Sequence, residues 1–397
     1  MLISETKPIL ANESSGLRLA VLRTPEEIQP YRQLWLRLCR HRDTDPDFYD
    51  FVLSRRPNAS AYVLLLETGV TQALVICRME ITKLSNKIGY FKIASPPLHV
   101  LEVIPGGILG DLDTRFARVV AAHISGLLGR AEVDMIRLHY IDVVSPLYVE
   151  LARMHPFRFN RYRVRKTSHR VRQVRSVSST FAESISRNER SNQRRREKRL
   201  IKEYHGNVRI EQYNSTTSLP RLLDDAERVA SRSYQRGLGV GFASTEDMRC
   251  RLEFLTSHGW LSAWLLYLAD SPAAFWIGAL RHGVFSSDYL AYDSSYSHLA
   301  PGTYLTIKVM EHMHVAHSGV YEIDFNPGDA PYKSRFGTEA RTVATVNMFA
   351  LTWRGICANI LDDSTLIAGT IARAALEKFD ASDWFKRIVR RRAVKGS

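Results

Sequence analysis

Short apolar runs punctuated by turn residues recur along the chain, and their spacing sets the predicted elements. Residues 17–22 read as a strand. Thr24 before Pro25-Glu26-Glu27 marks a helix start, since a threonine oxygen can cap the first N–H groups and proline suits the first helical turn. The apolar positions Leu34, Leu36 and Leu38 fit that helix loosely. Residues 61–66 and 71–81 are predicted strands joined through Thr68-Gly69. Residues 87–93 and 101–104 are predicted to continue the sheet, and Pro105-Gly106-Gly107 to break it. A helix is expected over 111–130, capped by Asp111 or Asp113, then a strand over 133–141 and a helix opened by Ser145-Pro146.

The second half repeats this order. It begins with a charged helix over 181–204, a strand over 207–213, and helices over 219–234 and 245–257. Three apolar strands follow at 261–268, 273–280 and 284–292, turning at Asp270-Ser271-Pro272 and His282-Gly283. A helix from Gly302, a strand from Tyr321 and a last strand over 341–349 complete the unit. Helices, antiparallel strands, helix and strand in the same order twice predict an internal duplication of α+β class, with mixed central sheets flanked by helices. The expected organisation is an N-terminal half over 1–175, a second domain over 176–352, and a helical basic tail over 353–397.

Composition adds charge to this picture. Among 397 residues, 55 Lys and Arg against 41 Asp and Glu leave a net charge of +14, which implies phosphate-bearing or acidic partners. The run from Ser186 to Leu200 holds seven Arg or Lys residues. It reads equally as a phosphate-contacting surface or as a solvated helix face, and few aromatics interleave to stack on bases. An anionic membrane is a further candidate for peripheral contact. Cys39, Cys77, Cys250 and Cys357 are scattered without a CxxC pair, which argues against a zinc site and gives no disulfide framework. A reducing, cytoplasmic setting is expected, with no metal. No apolar run of about 18 residues predicts a membrane span.

Candidate chemistry gathers late in the chain. The strand over 285–292 runs into a polar turn, and Pro301-Gly302-Thr303 opens a helix whose first N–H groups can bind an anion. Asp293, at the strand end, is either a general base for an amine or a turn cap. Asp324 lies inside an apolar strand and needs a partner, for which Lys333 or Arg335 is near. Tyr332 can give a proton to a leaving thiolate, and Lys333 can stabilise developing negative charge. His298 can contact a phosphate. Gly237 to Gly241 is a glycine-rich loop after a helix. No GxSxG, Walker lysine loop, HExxH or strand-borne GxGxxG is present.

Ala291-Tyr292-Asp293, Pro301-Gly302, Asp324-Phe325, Gly328 and Tyr332-Lys333 together resemble the GNAT-type acyltransferases associated with cellulose biosynthesis, relatives of the Fem peptidoglycan peptidyltransferases. The likeness is best over 181–349 and includes Arg190, Arg194 and Arg195 of the basic helix. It implies a tandem GNAT-like (acyl-CoA N-acyltransferase) fold, in which a thioester's pantetheine lies between two splayed strands. Its pyrophosphate would meet the following helix start, placing Leu290, Tyr292, His298, Ala300, Gly302 and Thr303 around an acyl-CoA donor. The segment lacks the RxxGxG/A of the usual phosphate loop, so an acyl carrier protein or an aminoacyl-tRNA also stands as donor. The activity implied is acyl transfer from a thioester to an amine of a small molecule, glycan or lipid. Catalysis would fall to Asp293 or Asp324 with Tyr332 and Lys333. The alternatives are a Fem-like aminoacyl-tRNA-dependent transferase and a non-catalytic protein binding nucleic acid or an anionic polymer.

Overall fold

The computed structural model describes residues 10–12, 16–88, 91–154, 161–174, 181, 185–237, 239–315 and 319–362. The tail expected beyond residue 362 and position 238 of the glycine-rich loop lie outside them. Among the described residues, one compact unit is built from the chain up to Ser168 with the segment 341–362, and the other runs His169–Ala340.

The first unit holds β1 (Leu10–Asn12), β2 (Leu17–Leu22), α1 (Pro25–Ile28), α2 (Arg32–Leu38), α3 (Pro46–Ser54), β3 (Ala59–Glu67), β4 (Gln72–Thr82), β5 (Ser85–Ile88), β6 (Phe91–Ala94), β7 (Leu98–Gly110), α4 (Thr114–Gly129), β8 (Met135–Asp142) and α5 (Pro146–Met154). The strand β9 (Tyr162–Gln173) follows. In the second unit come α6 (Arg187–Glu203), β10 (Val208–Tyr213), α7 (Leu219–Ser231), α8 (Tyr234–Gly237), α9 (Glu246–Ser257), β11 (Leu261–Leu268), β12 (Ser271–Arg281), β13 (Val284–Tyr292), α10 (Pro301–Val315), β14 (Glu322–Pro327) and α11 (Pro331–Phe336). The last strand, β15 (Glu339–Phe349), pairs with β8 in the first unit.

The two units share one strand plan. In the first, inside an edge strand β1 paired with β2, the order is β2-β3-β4-β7-β8-β15, antiparallel except for the parallel pair β7/β8, which α4 connects. In the second it is β10-β11-β12-β13-β14-β9, antiparallel except for the parallel pair β13/β14, which α10 connects. The expected α+β class with mixed sheets flanked by helices is the one observed. Each unit takes its last strand from elsewhere in the chain. Residues 169–173 of β9, which follow the first unit's α5, pair with β14, and β15, which follows α11, pairs with β8.

Local chemistry explains most elements. Thr24 and Glu27 form a capping box at α1, and Asp113 accepts the Phe116 N–H at 2.8 Å to start α4. Along α4, Phe116, Ala117, Val120, Ala121, Ile124 and Leu127 recur at helical spacing and are buried in the first unit's core. All eight residues of β11 are buried, as befits an interior strand.

Four expectations need correction. The helix after Thr24 is broken by a 3-10 turn at Gln29–Tyr31, where Pro30 removes a helical donor. Residues 85–94 do not continue the main sheet: β5 and β6 pair as a separate two-stranded sheet. Pro105-Gly106-Gly107 does not end its strand. Within β7 these residues form a bulge in which 104–107 stand opposite Ile76 alone, and a Cβ on Gly107 would lie 2.7 Å from the Ile76 oxygen. The basic helix begins at Arg187, where Ser186 caps it, rather than at Phe181. Among the described residues no helix is long and apolar enough to cross a membrane.

Candidate functional site in the second unit

The parallel strands β13 and β14 pair only at their beginnings: Val284 with Glu322, Phe285 with Ile323, and Ser286 with Asp324. Beyond this point β13 stays on β12 as far as Tyr292, while Pro327 of β14 is registered against His169. The strands therefore diverge into a V. Its closed end is at Ser286 and Asp324, and the β13 arm leads into the turn before α10.

A bulge shapes the β13 arm. The register of β12 against β13 shifts between Ile277 and Gly278, which leaves Asp288 as the extra residue. Only glycine fits at 278, because a Cβ there would stand 2.4 Å from the Ser286 oxygen and 2.5 Å from the Phe285 ring. The Ser287 carbonyl accepts from Asn326 Nδ2 at 2.7 Å, and the Leu290 carbonyl accepts from Gln235 Nε2 at 3.1 Å. A regular strand sends carbonyls three residues apart to opposite edges. The extra residue at 288 accounts for both being met by side chains from outside the β12 ladder.

Polar groups crowd the closed end. Asp324 is only 4% exposed; its Oδ1 lies 2.6 Å from His169 Nε2 and accepts the Asn326 N–H at 2.7 Å. Lys333 is buried and donates to the carbonyls of Asn326 at 2.8 Å and Pro327 at 3.0 Å. Burial pulls its pKa below the usual lysine value, against the attraction of Asp324 and Asp329. Tyr332 packs edge-on to Phe325 with ring centroids 6.0 Å apart. Burial pushes its phenol up to about 12, although a hydrogen bond with Ser287 works the other way. Trp276 Nε1 donates to Ser287 Oγ at 2.8 Å, fixing that side chain from β12.

The open end is built differently. Asp293 is buried and caps the 3-10 turn Ser294–Leu299, accepting from Ser295 N at 2.9 Å and Ser295 Oγ at 2.7 Å. Arg232 Nη1 lies 3.4 Å from its other oxygen. Ala300 takes a left-handed conformation, φ 52°, and α10 starts at the next residue. Gly302 is buried against Tyr292, whose ring carbon Cδ1 would be 3.2 Å from an added Cβ. Leu290 and Tyr292 are half-buried against the second unit's core, and Thr303 is half-buried at the helix start. His298 is exposed, with Nε2 3.1 Å from Glu203 Oε1, and its carbonyl accepts from Arg199 Nη1 at 2.9 Å.

The predicted residues thus separate into two groups. Asp324, Tyr332 and Lys333 meet at the closed end, whereas Asp293, His298, Ala300, Gly302 and Thr303 belong to the open end. Asp293 stands seven residues beyond Ser286, about 23 Å of chain at about 3.3 Å per residue, at the other end of β13 from Asp324. Asp324 is met by His169, 155 positions away in sequence, while Lys333, the partner expected, is drawn to it by charge. His169, Ser287, Asn326 and Trp276 complete the closed end and carried no local signal. Elsewhere in this unit a groove of about 740 Å³ lies between α7 and α9, lined by Leu219, Leu223, Asp224, Arg249 and Glu253 among others. It contains none of the predicted residues.

Residues 187–334 match the family model described as an acetyltransferase (GNAT) domain. No curated protein matches the chain in sequence. Among solved structures, the C-terminal domain of a putative lysylphosphatidylglycerol synthetase from Agrobacterium fabrum is similar over 74% of this chain and 85% of its own, at 10% identity and a TM-score of 0.44. FemX is similar over 72% and 88%, at 9% identity and a TM-score of 0.48. A tandem GNAT protein from the clavulanic acid biosynthesis pathway is similar over 83% and 98%, at 12% identity and a TM-score of 0.45. This α+β chain thus has a GNAT-type fold, and residues 187–334, which match the acetyltransferase (GNAT) domain model, contain the divergent parallel strands β13 and β14.

Proposed function

We propose that the second unit is an N-acyltransferase, moving an acyl group from a thioester on a phosphopantetheine arm to a primary amine. The divergence of β13 and β14 beyond Ser286 and Asp324 carries this reading. It leaves a backbone edge for an extended amide-bearing arm, with titratable groups at one end and a helix start at the other.

In this reading the acceptor ammonium first loses a proton to the Asp324–His169 pair. The amine nitrogen then attacks the thioester carbonyl carbon, and the C–S bond breaks as the amide forms. The departing sulfur takes a proton from Tyr332, whose raised pKa keeps the phenol protonated at neutral pH, and the phenolate is restored by the second proton that the nitrogen sheds as the amide forms. Lys333 spends two of its three ammonium donors on the Asn326 and Pro327 carbonyls, and the third serves developing negative charge. Coenzyme A and a carrier protein present the same arm, so the cleft by itself fits either.

Thermal melting with 1 mM acetyl-CoA or palmitoyl-CoA tests the reading. A ligand that binds only the folded state raises the melting temperature by mass action. We expect such a rise, together with thiol release from acetyl-CoA when glucosamine, ethanolamine or lysine is added. No shift with either thioester and no thiol release would refute it.

A further inference from the structure

We propose that the exposed face of α6 docks an acidic carrier protein, which presents the acyl group on its phosphopantetheine arm to the V between β13 and β14. This rests on the thioester reading above and names the source of the donor.

The helix is fastened beside the turn through which such an arm would enter. Arg199 donates to the His298 carbonyl at 2.9 Å, Glu203 lies 3.1 Å from His298 Nε2, and Glu197 lies 3.1 Å from Lys308 Nζ on α10. Tyr204 closes the contact edge-on to Tyr296, with ring centroids 6.4 Å apart. These links, with the Glu189–Arg196 pair at 2.6 Å, engage the helix's own carboxylates. Arg194, Arg195, Lys198, Arg199 and Lys202 remain exposed, with no ion-pair partner among the described residues.

Their spacing makes a ridge. Arg194, Lys198 and Lys202 follow at every fourth position, with Arg195 and Arg199 alongside. At about 1.5 Å per residue the ridge extends about 12 Å along the axis. A pyrophosphate at the α10 start needs cations near that start alone. A row of this length matches the acidic surface of a macromolecule.

The same face favours a protein over a nucleic acid. Ile201, 48% exposed, sits one helical turn from Lys198 and two from Arg194, so an apolar residue lies within the charged row. No aromatic residue occurs between Arg187 and Glu203 to stack on unpaired bases, and the neighbouring Tyr204 is spent on Tyr296.

The test uses the full chain and a fluorescently labelled holo acyl carrier protein, with binding read by anisotropy at 50 and 200 mM NaCl. The parent should bind the carrier, and the Arg194→Glu, Lys198→Glu, Lys202→Glu variant should bind it at least tenfold more weakly. That variant should keep the circular dichroism spectrum of the parent and its melting shift with acetyl-CoA. Absence of carrier binding at 50 mM NaCl, equal binding by the variant, or tighter binding of bulk tRNA than of carrier at 200 mM NaCl would each overturn the proposal. The acetyl-CoA shift separates the two readings: retained without carrier binding, it leaves the acyltransferase cleft standing and removes only the docking face.

Discussion

At the residue scale, the V depends on a few side chains whose roles are set by what surrounds them. Lys333 is a buried cation held by two carbonyls, so Lys333→Met keeps much of its volume while removing the donor. With an amine acceptor in hand, we expect kcat to fall about 100-fold or more, the order seen when a single charge-stabilising donor is lost. An unchanged kcat in a variant that still binds acetyl-CoA would show that Lys333 is structural. Gly278 tests the frame rather than the chemistry. Gly278→Ala places a Cβ against the Ser286 oxygen and the Phe285 ring, and should cost about 1–3 kcal/mol in urea denaturation, as overpacking does. Residue identity alone marked Asp324, Tyr332 and Lys333 as candidates. It could not pair Asp324 with His169, because the hydrogen bond between them comes from strand register and not from proximity in sequence.

At the element scale, helix starts and hairpins were legible, and interruptions were not. Ser186 caps α6 through the Glu189 N–H at 3.2 Å, and Ser186→Ala should cost about 1 kcal/mol. A measured loss below a few tenths would mean that packing alone holds this helix end. The turn at His282-Gly283 carries left-handed φ values of 49° and 77°, as a tight hairpin between β12 and β13 requires. By contrast, Pro105-Gly106-Gly107 has the composition of a break, yet the neighbouring ladder closes on both sides of it and turns it into a bulge.

The strands of the first unit also hold a buried charge cluster. Glu102 on β7 pairs with Arg78 on β4, with Arg137 Nη1 on β8 at 3.3 Å, and lies 3.7 Å from His139 Nε2. Burial alone would raise the Glu102 pKa, but the combined pull of His139, Arg78 and Arg137 outweighs it and leaves the value at about 2, against 4.5 unfolded. Between these values the unfolded chain binds more protons. The contribution is therefore full above about pH 4.5 and is lost as pH falls toward 2, on the order of 3 kcal/mol in all. The stability gap between the parent and Glu102→Gln should be full above about pH 5 and close as pH falls to about 2. A gap constant with pH would rule out this linkage.

At the scale of the whole molecule, two features dominate: the repeated strand plan and the charge. A net charge of +14 repels itself, and the ion pairs that offset it are local. Raising NaCl from 20 to 200 mM should therefore raise the melting temperature, since screening weakens long-range repulsion more than contact pairs. A fall would mean that the ion-pair network outweighs the repulsion.

By itself the sequence determined the class of fold, the order of elements and the repetition of that order. Those follow from local terms: apolar periodicity, caps and turn residues act within a few positions, so they can be read along the chain. The sequence also marked the stretch from Tyr292 to Gly302 and the loop from Asp324 to Lys333. Tertiary structure alone decided that these are two ends of one V rather than one cluster of groups. It also decided that Asp293 caps a turn, that Asp324 meets His169, and that each unit draws its last strand from elsewhere in the chain. The physical reason is that strand pairing and burial act between residues far apart in sequence, and a one-residue bulge at Asp288 is enough to change which groups face the opening between β13 and β14.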